Sequence, residues 1–360
     1  MITKRVAFLL LTGLFLFCET KAMVLDKPTK LFEVKKAPYF CSIDPVEIDG
    51  ELHIVMALPK GELEWIKMPN ISGSKEPSGS DEFIVSGSTL GDLKKWKLNG
   101  FCVKKWDKQW DMHSLSISSV EILFQIKEKK KKQTNNLLFN IFKKPKEQEK
   151  KLEKKTFIIS SSFDETIGIC GENGDFIRRL KGHGSAVLSL AILFNYTENP
   201  LIVSGSTDKS IKMWHPESGL CVKTFCGHEG VVRSLAALYD KDGTAYIVSG
   251  SNDMTVRAWN VKEDTCTKIF KGHSEGIQSV AALYGKDGKP YIVSGSWDKT
   301  IKIWDFATGE CVKTLKGHSG WIQEVKVFYD KNNTPSIVSL SQPSDDHIQE
   351  IMLWTLGDWK

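Results

Sequence analysis

Four Gly-His pairs, Gly182-His183, Gly227-His228, Gly272-His273 and Gly317-His318, follow one another at a constant interval of 45 residues. Trp214, Trp259 and Trp304 keep the same interval, as do Asp208, Asp253 and Asp298, and Cys221, Cys266 and Cys311. A fixed period of this length constrains the chain strongly. It marks one supersecondary unit repeated in series, each copy burying its apolar face on the next.

Within one period the pattern is strand-like. The runs YIVSGS, TIKIW, ECVKTL and WIQEVKVF, between Tyr291 and Phe328, are short, rich in Val, Ile and Thr, and separated by turn residues. No helix-length periodic segment lies between them, so the unit is expected to be all-β with four strands. Asp287-Gly288 falls between SVAALY and YIVSGS, and Asp242-Gly243 holds the matching place one period earlier. Asp-Gly between apolar alternating runs is a strong hairpin signal, because both residues tolerate the positive φ of a tight turn.

The Gly-His pair, the Asp-centred turn, the strand ending in Trp and the period together resemble the WD-repeat family. The resemblance is closest over residues 181–360. It implies an all-β β-propeller of four-stranded antiparallel blades. Upstream, FIVSGSTLGDLKKWKLNGFCVKKW from Phe83 aligns on its Ser-Gly-Ser, Trp96 and Cys102, with Leu90 in place of Asp. HSLSISSVEIL from His113 matches HSEGIQSVAAL from His273, and SSFDETIGIC keeps Asp164 but has Cys170 in place of Trp. The earliest match is DGELHIVMALPKGELEWIKM. Seven hairpins of second and third strands result, so seven blades are favoured. Only 17 residues, 66–82, separate the first two hairpins, so one of those blades is abbreviated or the count is six. The last hairpin leaves no outer strand after Trp354, and TKLFEV, Thr29 to Val34, is expected to supply it and remove an open edge.

The same resemblance implies a hydrogen-bonded network inside each blade. It comprises His183, Asp208 and Trp214; His228, Asp253 and Trp259; and His273, Asp298 and Trp304, with Ser204, Ser249 and Ser294 as the serines. These residues recur, whereas a catalytic constellation is normally built once, so the expected role is structural. No catalytic residue, cofactor site or metal site is expected, and the sequence holds no Gly-rich phosphate loop, nucleophile elbow or clustered Cys/His spacing. Cys102, Cys221, Cys266 and Cys311 occupy equivalent fourth-strand places in different blades and are expected not to pair, behaving instead as small buried hydrophobes.

The net charge of +5 is unevenly spread. Residues 127–155 hold twelve Lys and four Glu, a local charge of +8 that leaves the remainder at −3. The globular part is therefore not basic, and sequence-specific nucleic-acid binding is not expected. This Lys-rich segment reads as a disordered insertion in a loop between strands. Its apolar patch, Leu137 to Phe142, offers a weak contact with an anionic membrane or an acidic protein.

At the N-terminus, Lys4 and Arg5 precede an apolar run from Val6 to Cys18, then Thr20-Lys21-Ala22. This is the layout of a signal peptide over 1–22, too short to span a bilayer, where about 20 apolar residues are needed. Export to the periplasm or outside the cell is expected, with membrane anchoring through this segment as the alternative. A lipoprotein signal at Cys18 fits poorly because Phe17 stands where a small residue is needed. The mature propeller would occupy 23–360.

Positions beside the repeated markers are expected to point outward on one propeller face. They are Trp297, Trp321, Arg233, Gln278, Gln323 and Asn252, and tryptophan and arginine dominate binding energy at interfaces. The expected function is a non-enzymatic, monomeric platform that binds a partner protein or peptide on this face. The rival is an exported enzyme or small-ligand binder using the central channel, for which Asp345, Asp346 and His347 are the one unrepeated acidic cluster.

Overall fold

A computed structural model describes residues 113–342 almost throughout, apart from 129–151, 172, 174, 195–199 and 331. It also describes residues 348–356 and the strands within 29–106. Residues 1–28, the middle of the Lys-rich segment, and Asp345, Asp346 and His347 lie outside the described residues. The described residues form strands and turns, without a helix.

The three most regular sheets follow the period directly. β12 (Val187–Leu193), β13 (Leu201–Ser206), β14 (Ile211–Trp214) and β15 (Cys221–Phe225) pair in sequence order. So do β16 (Val232–Tyr239), β17 (Ala245–Ser251), β18 (Thr255–Asn260) and β19 (Thr265–Lys271), and then β20 (Ile277–Tyr284), β21 (Pro290–Ser296), β22 (Thr300–Asp305) and β23 (Cys311–Lys316). Each is an antiparallel meander. The turn between β20 and β21 places Gly288 at φ 75°, with its N–H donating to the Gly285 carbonyl at 2.9 Å.

Before these lies a sheet of β8 (Ile117–Glu128), β9 (Leu152–Ser162), β10 (Ile167–Gly171) and β11 (Phe176–Leu180). The Lys-rich segment does connect two strands, but its ends are themselves paired: Lys127 stands opposite Glu153 and Glu128 opposite Leu152 in the β8–β9 ladder. After them come β24 (Trp321–Tyr329), β25 (Pro335–Gln342) and β26 (Ile348–Thr355), joined on the outer side by β1 (Thr29–Lys35). β1 runs antiparallel to β26, from Thr29 opposite Leu353 to Lys35 opposite Ile348, so the expected edge strand is the one that pairs.

The crowded N-terminal region resolves into two three-stranded sheets. One holds β2 (Ile43–Ile48), β3 (Glu51–Ala57) and β4 (Leu63–Ser72); the other holds β5 (Phe83–Gly87), β6 (Leu93–Lys97) and β7 (Cys102–Trp106). Among the described residues the shortage is shared, the first sheet having no fourth strand after its hairpin and the second none before. An all-β chain of several four-stranded antiparallel sheets in series fits a β-propeller.

The core lies between consecutive sheets. Val203, Ile211, Met213 and Phe225 of one sheet pack with Leu235, Ile247 and Trp259 of the next. Val248, Val256 and Phe270 pack likewise with Val280, Ile292 and Trp304. The central glycine of each Ser-Gly-Ser permits this approach. A Cβ on Gly295 would meet Ile322 of the following sheet at 2.5 Å, and one on Gly250 would meet Ile277 at 2.7 Å.

Two polar ladders tie sheet to sheet. On the innermost strands, Leu235, Val280 and Val325 donate their N–H groups to Ser189, Ser234 and Ser279 at 3.0, 3.0 and 3.1 Å. At the far ends of these strands, Tyr284 donates its N–H to the Tyr329 hydroxyl at 2.7 Å and Tyr239 donates its own to Tyr284 at 2.9 Å. The Tyr239 hydroxyl in turn accepts from the Phe194 N–H at 2.8 Å. Backbone groups that would otherwise be exposed at strand ends are thereby satisfied by the following repeat.

Candidate interaction face

The repeated polar residues converge inside each sheet. His183 Nδ1 lies 2.8 Å from Asp208, its Nε2 lies 2.8 Å from Ser204 Oγ, and the Trp214 indole donates to that hydroxyl at 2.8 Å. His228, Asp253, Ser249 and Trp259 repeat this at 2.7, 2.7 and 2.8 Å. His273, Asp298, Ser294 and Trp304 repeat it at 2.6, 2.8 and 2.8 Å.

The direction of the bonds follows from the chemistry of the donors. An indole N–H only donates, so Ser204 Oγ accepts from Trp214 and its own proton is free to go to His183 Nε2. Burial lowers the pKa of His183, outweighing the nearby Asp208, so its neutral form carries the proton on Nδ1 and donates to the carboxylate. Burial alone would raise Asp208. Hydrogen bonds from Ser210, the Gly184 N–H and His183 outweigh it and hold Asp208 at about 2.

Two further networks exist that the marker residues alone do not specify. His113 lies 2.8 Å from Ser160 Oγ and 3.1 Å from Asp164, with Thr166 donating to the same carboxylate at 2.7 Å. Cys170, fully buried, fills the place of the indole. His318 binds Ser339 at 2.6 Å, which also receives the Trp354 indole at 2.7 Å, and Glu350 replaces the aspartate at 3.4 Å from Nδ1. The capacity of these groups is largely taken up by one another. Among the described residues no group of three or more His, Cys, Asp or Glu is arranged to hold a metal ion.

The cysteines depart from expectation. Cys221 and Cys311 are exposed, Cys266 is half-buried, and among these cysteines and Cys170 only Cys170 is buried. The reason is the outer strand's alternation, in which residues near the start of β15 and β23 face solvent while Phe225 and Leu315 turn inward.

The unrepeated residues occupy three repeated positions, Trp321 standing where Gly276 stands one repeat earlier. Trp297 stands where Asn252 and Thr207 stand in earlier repeats, and each donates its N–H to the loop before its own sheet: Trp297 to Gly276, Asn252 to Val231 and Thr207 to Ala186. Arg233, Gln278 and Gln323 share another position, on the first strand of successive sheets. Arg233 Nε donates to Asn252 Oδ1 at 3.1 Å, and Gln323 Nε2 donates to Gln342 Oε1 at 2.6 Å, the same connection in two sheets. Gln278 reaches back to Asn252 at 3.4 Å.

Contacts between sheets make these positions continuous. The Arg233 guanidinium lies 5.7 Å from the Trp297 ring centroid, and the Trp297 and Trp321 centroids are 6.2 Å apart at an interplanar angle of 39°. Trp297 also lies over Gly276, where a Cβ would meet its ring at 3.0 Å. Trp297 is thus half-buried between neighbours, while Trp321 is 42% exposed. Arg233, Trp297 and Trp321 form one row across three consecutive sheets.

Residues 174–215, 219–260 and 264–305 each match the family model of the WD domain, G-beta repeat. The chain carries WD repeats. The three matches coincide with the three repeats whose His, Asp, Ser and Trp form complete networks. The His113 and His318 networks, with Cys170 and Glu350 at altered places, lie outside the matched WD repeats. A comparison with curated proteins finds no match. WD repeats generally mediate protein–protein interaction, and proteins built from them are typically non-enzymatic scaffolds.

Proposed function

We propose that this chain is a non-enzymatic interaction platform, a propeller of seven blades that captures a partner protein or peptide through the row Arg233, Trp297 and Trp321. The row carries this reading. It consists of the residue types that contribute most to binding energy, it crosses three sheets, and the repeat does not require its side chains for folding. Asn252, Gln278 and Gln323 supply directional polar contacts at its flank. The seven antiparallel sheets among the described residues, two of them three-stranded, support the blade count.

Affinity capture by the full chain, followed by mass spectrometry, tests the reading. Arg233→Ala, Trp297→Ala and Trp321→Ala are each expected to reduce recovery of the captured partner by about tenfold or more, as buried interface anchors do. Far-ultraviolet circular dichroism should remain that of the unaltered chain. Unchanged recovery with all three variants would overturn the proposed site. Export through residues 1–22 belongs to the same proposal, and sequencing the N-terminus of the mature protein tests it.

A further inference from the structure

Among the described residues the half-buried Arg233 has no acidic counterpart. Its Nε is engaged by the neutral Asn252, its guanidinium carbon lies over the Trp297 ring, and no carboxylate pairs with its terminal nitrogens among the described residues. Acids in the adjoining turns are committed elsewhere: Asp253 to His228 and Thr255, and Asp298 to His273 and Thr300. A partly desolvated cation without a counter-ion costs stability, and a complementary anion brought by a partner recovers that cost. The guanidinium is also held in place. A hydrogen bond at Nε and the Trp297 ring 5.7 Å away restrict where it can go, leaving the terminal nitrogens for the bidentate geometry that suits a carboxylate.

We propose, resting on the interaction face above, that the row recognises an acidic peptide segment, an Asp or Glu carboxylate pairing with Arg233 and a neighbouring apolar or aromatic residue lying on Trp321. One guanidinium flanked by uncharged Gln278 and Gln323 balances a single negative charge. A phosphate group carries nearly two charges and is typically met by a cluster of arginines. Spacing agrees with a short motif. Arg233 lies 5.7 Å from the Trp297 centroid and Trp321 lies 6.2 Å beyond it, and an extended chain advances about 3.3 Å per residue, so the two contacts fall within about four residues. Burial also lowers the pKa of Arg233, a destabilisation of the charged form that an incoming carboxylate reverses.

The test begins with a phage-displayed pool of random dodecapeptides selected on the full chain. Selected peptides are then synthesised with the acidic residue kept, replaced by its amide, or replaced by phosphoserine, and titrated by fluorescence anisotropy. The expected result is a shared Asp or Glu whose amide form binds about tenfold more weakly, in line with a charge-assisted hydrogen bond. With Arg233→Gln the acidic and amide forms should bind equally, whereas Trp321→Ala should weaken both alike.

A selection without acidic preference, a preference retained in Arg233→Gln, or tighter binding of the phosphoserine form would each overturn the proposal. Peptides that depend on Trp297 and Trp321 but are indifferent to Arg233→Gln would remove the acidic specificity and leave the interaction face standing. A selection in which no peptide depends on either tryptophan would remove both.

Discussion

The sheet β20–β23 and the sheet containing β24–β26 perform the same internal task with different spacing. In the first, Ser294 and Trp304 are 10 residues apart and the carboxylate is Asp298, in the turn between their strands. In the second, Ser339 and Trp354 are 15 apart, more residues separate their strands, and the carboxylate is Glu350, on β26 itself. What persists is the place in space beside the histidine Nδ1, not the place in the chain. A side chain one methylene longer reaches it from a different backbone position. The substitute is looser: Asp298 lies 2.6 Å from His273, whereas Glu350 lies 3.4 Å from His318, which Ser341 also approaches at 2.7 Å.

The largest expected effect separates the two directly. Asp298→Ala removes the acceptor for His273, for the Ser274 and Thr300 N–H groups and for the Thr300 hydroxyl, and should cost about 3 kcal/mol in urea unfolding. Glu350→Ala should cost about half as much, because Ser341 stays beside His318 Nδ1. Equal losses would show that the serine does not substitute for the acid.

Acid titration sharpens the aspartate side of the comparison. Asp208 is held at about 2, below the usual carboxylate value of about 3.9, so its contribution is complete above about pH 4 and lost as pH falls towards 2. His183, lowered by burial, adds a loss that starts as pH falls below about 6.5, where the unfolded chain takes up the proton first. Stability should therefore decline gently below about pH 6.5 and steeply below about pH 4, with about 2 kcal/mol of the steep part from Asp208 and further losses from Asp164, Asp253 and Asp298, whose hydrogen bonds also hold them below the usual carboxylate range. Asp208→Asn should remove the share of the steep part that Asp208 supplies and leave the rest, and an unaltered acid limb in that variant would contradict the assignment. The smallest effect is Glu350→Asp, which restores the family's residue at the wrong place. It should destabilise by about 1 kcal/mol through lost reach, and a gain in stability would show that chain spacing is not the constraint.

The period made the regular sheets and their His, Asp, Ser and Trp legible, because four residues recurring together identify one unit without knowledge of its shape. Glu350 was not legible, since it sits off the expected spacing and becomes a substitute only when β26 brings it beside His318. Cys170 shows the reverse, a place that is legible although its usual residue is absent. The edge strand from Thr29 could be anticipated because an incomplete last sheet demands one. Exposure of Cys221 and Cys311 could not, since it depends on which side of an outer strand faces solvent.

The candidate face was readable as a set of positions but not as a row. That Arg233 meets Trp297 and Trp297 meets Trp321 depends on how adjacent sheets are rotated against each other, which no spacing within one repeat encodes. The serine and tyrosine ladders carried a usable signal, for Tyr239, Tyr284 and Tyr329 also keep the 45-residue interval. Their meaning appears only when each tyrosine hydroxyl is found on the preceding repeat and each serine hydroxyl on the following one.

The tyrosine ladder gives the chain a direction in time. Tyr239 and Tyr284 each pass their N–H to a hydroxyl encoded 45 residues later, so a nascent repeat leaving the ribosome has an open end until its successor has followed. At translation rates of about 5–20 residues per second that delay is roughly two to nine seconds per repeat. During synthesis each unit is therefore finished by the one after it, and a ribosome stalled inside this region strands the most recently emerged repeat incomplete.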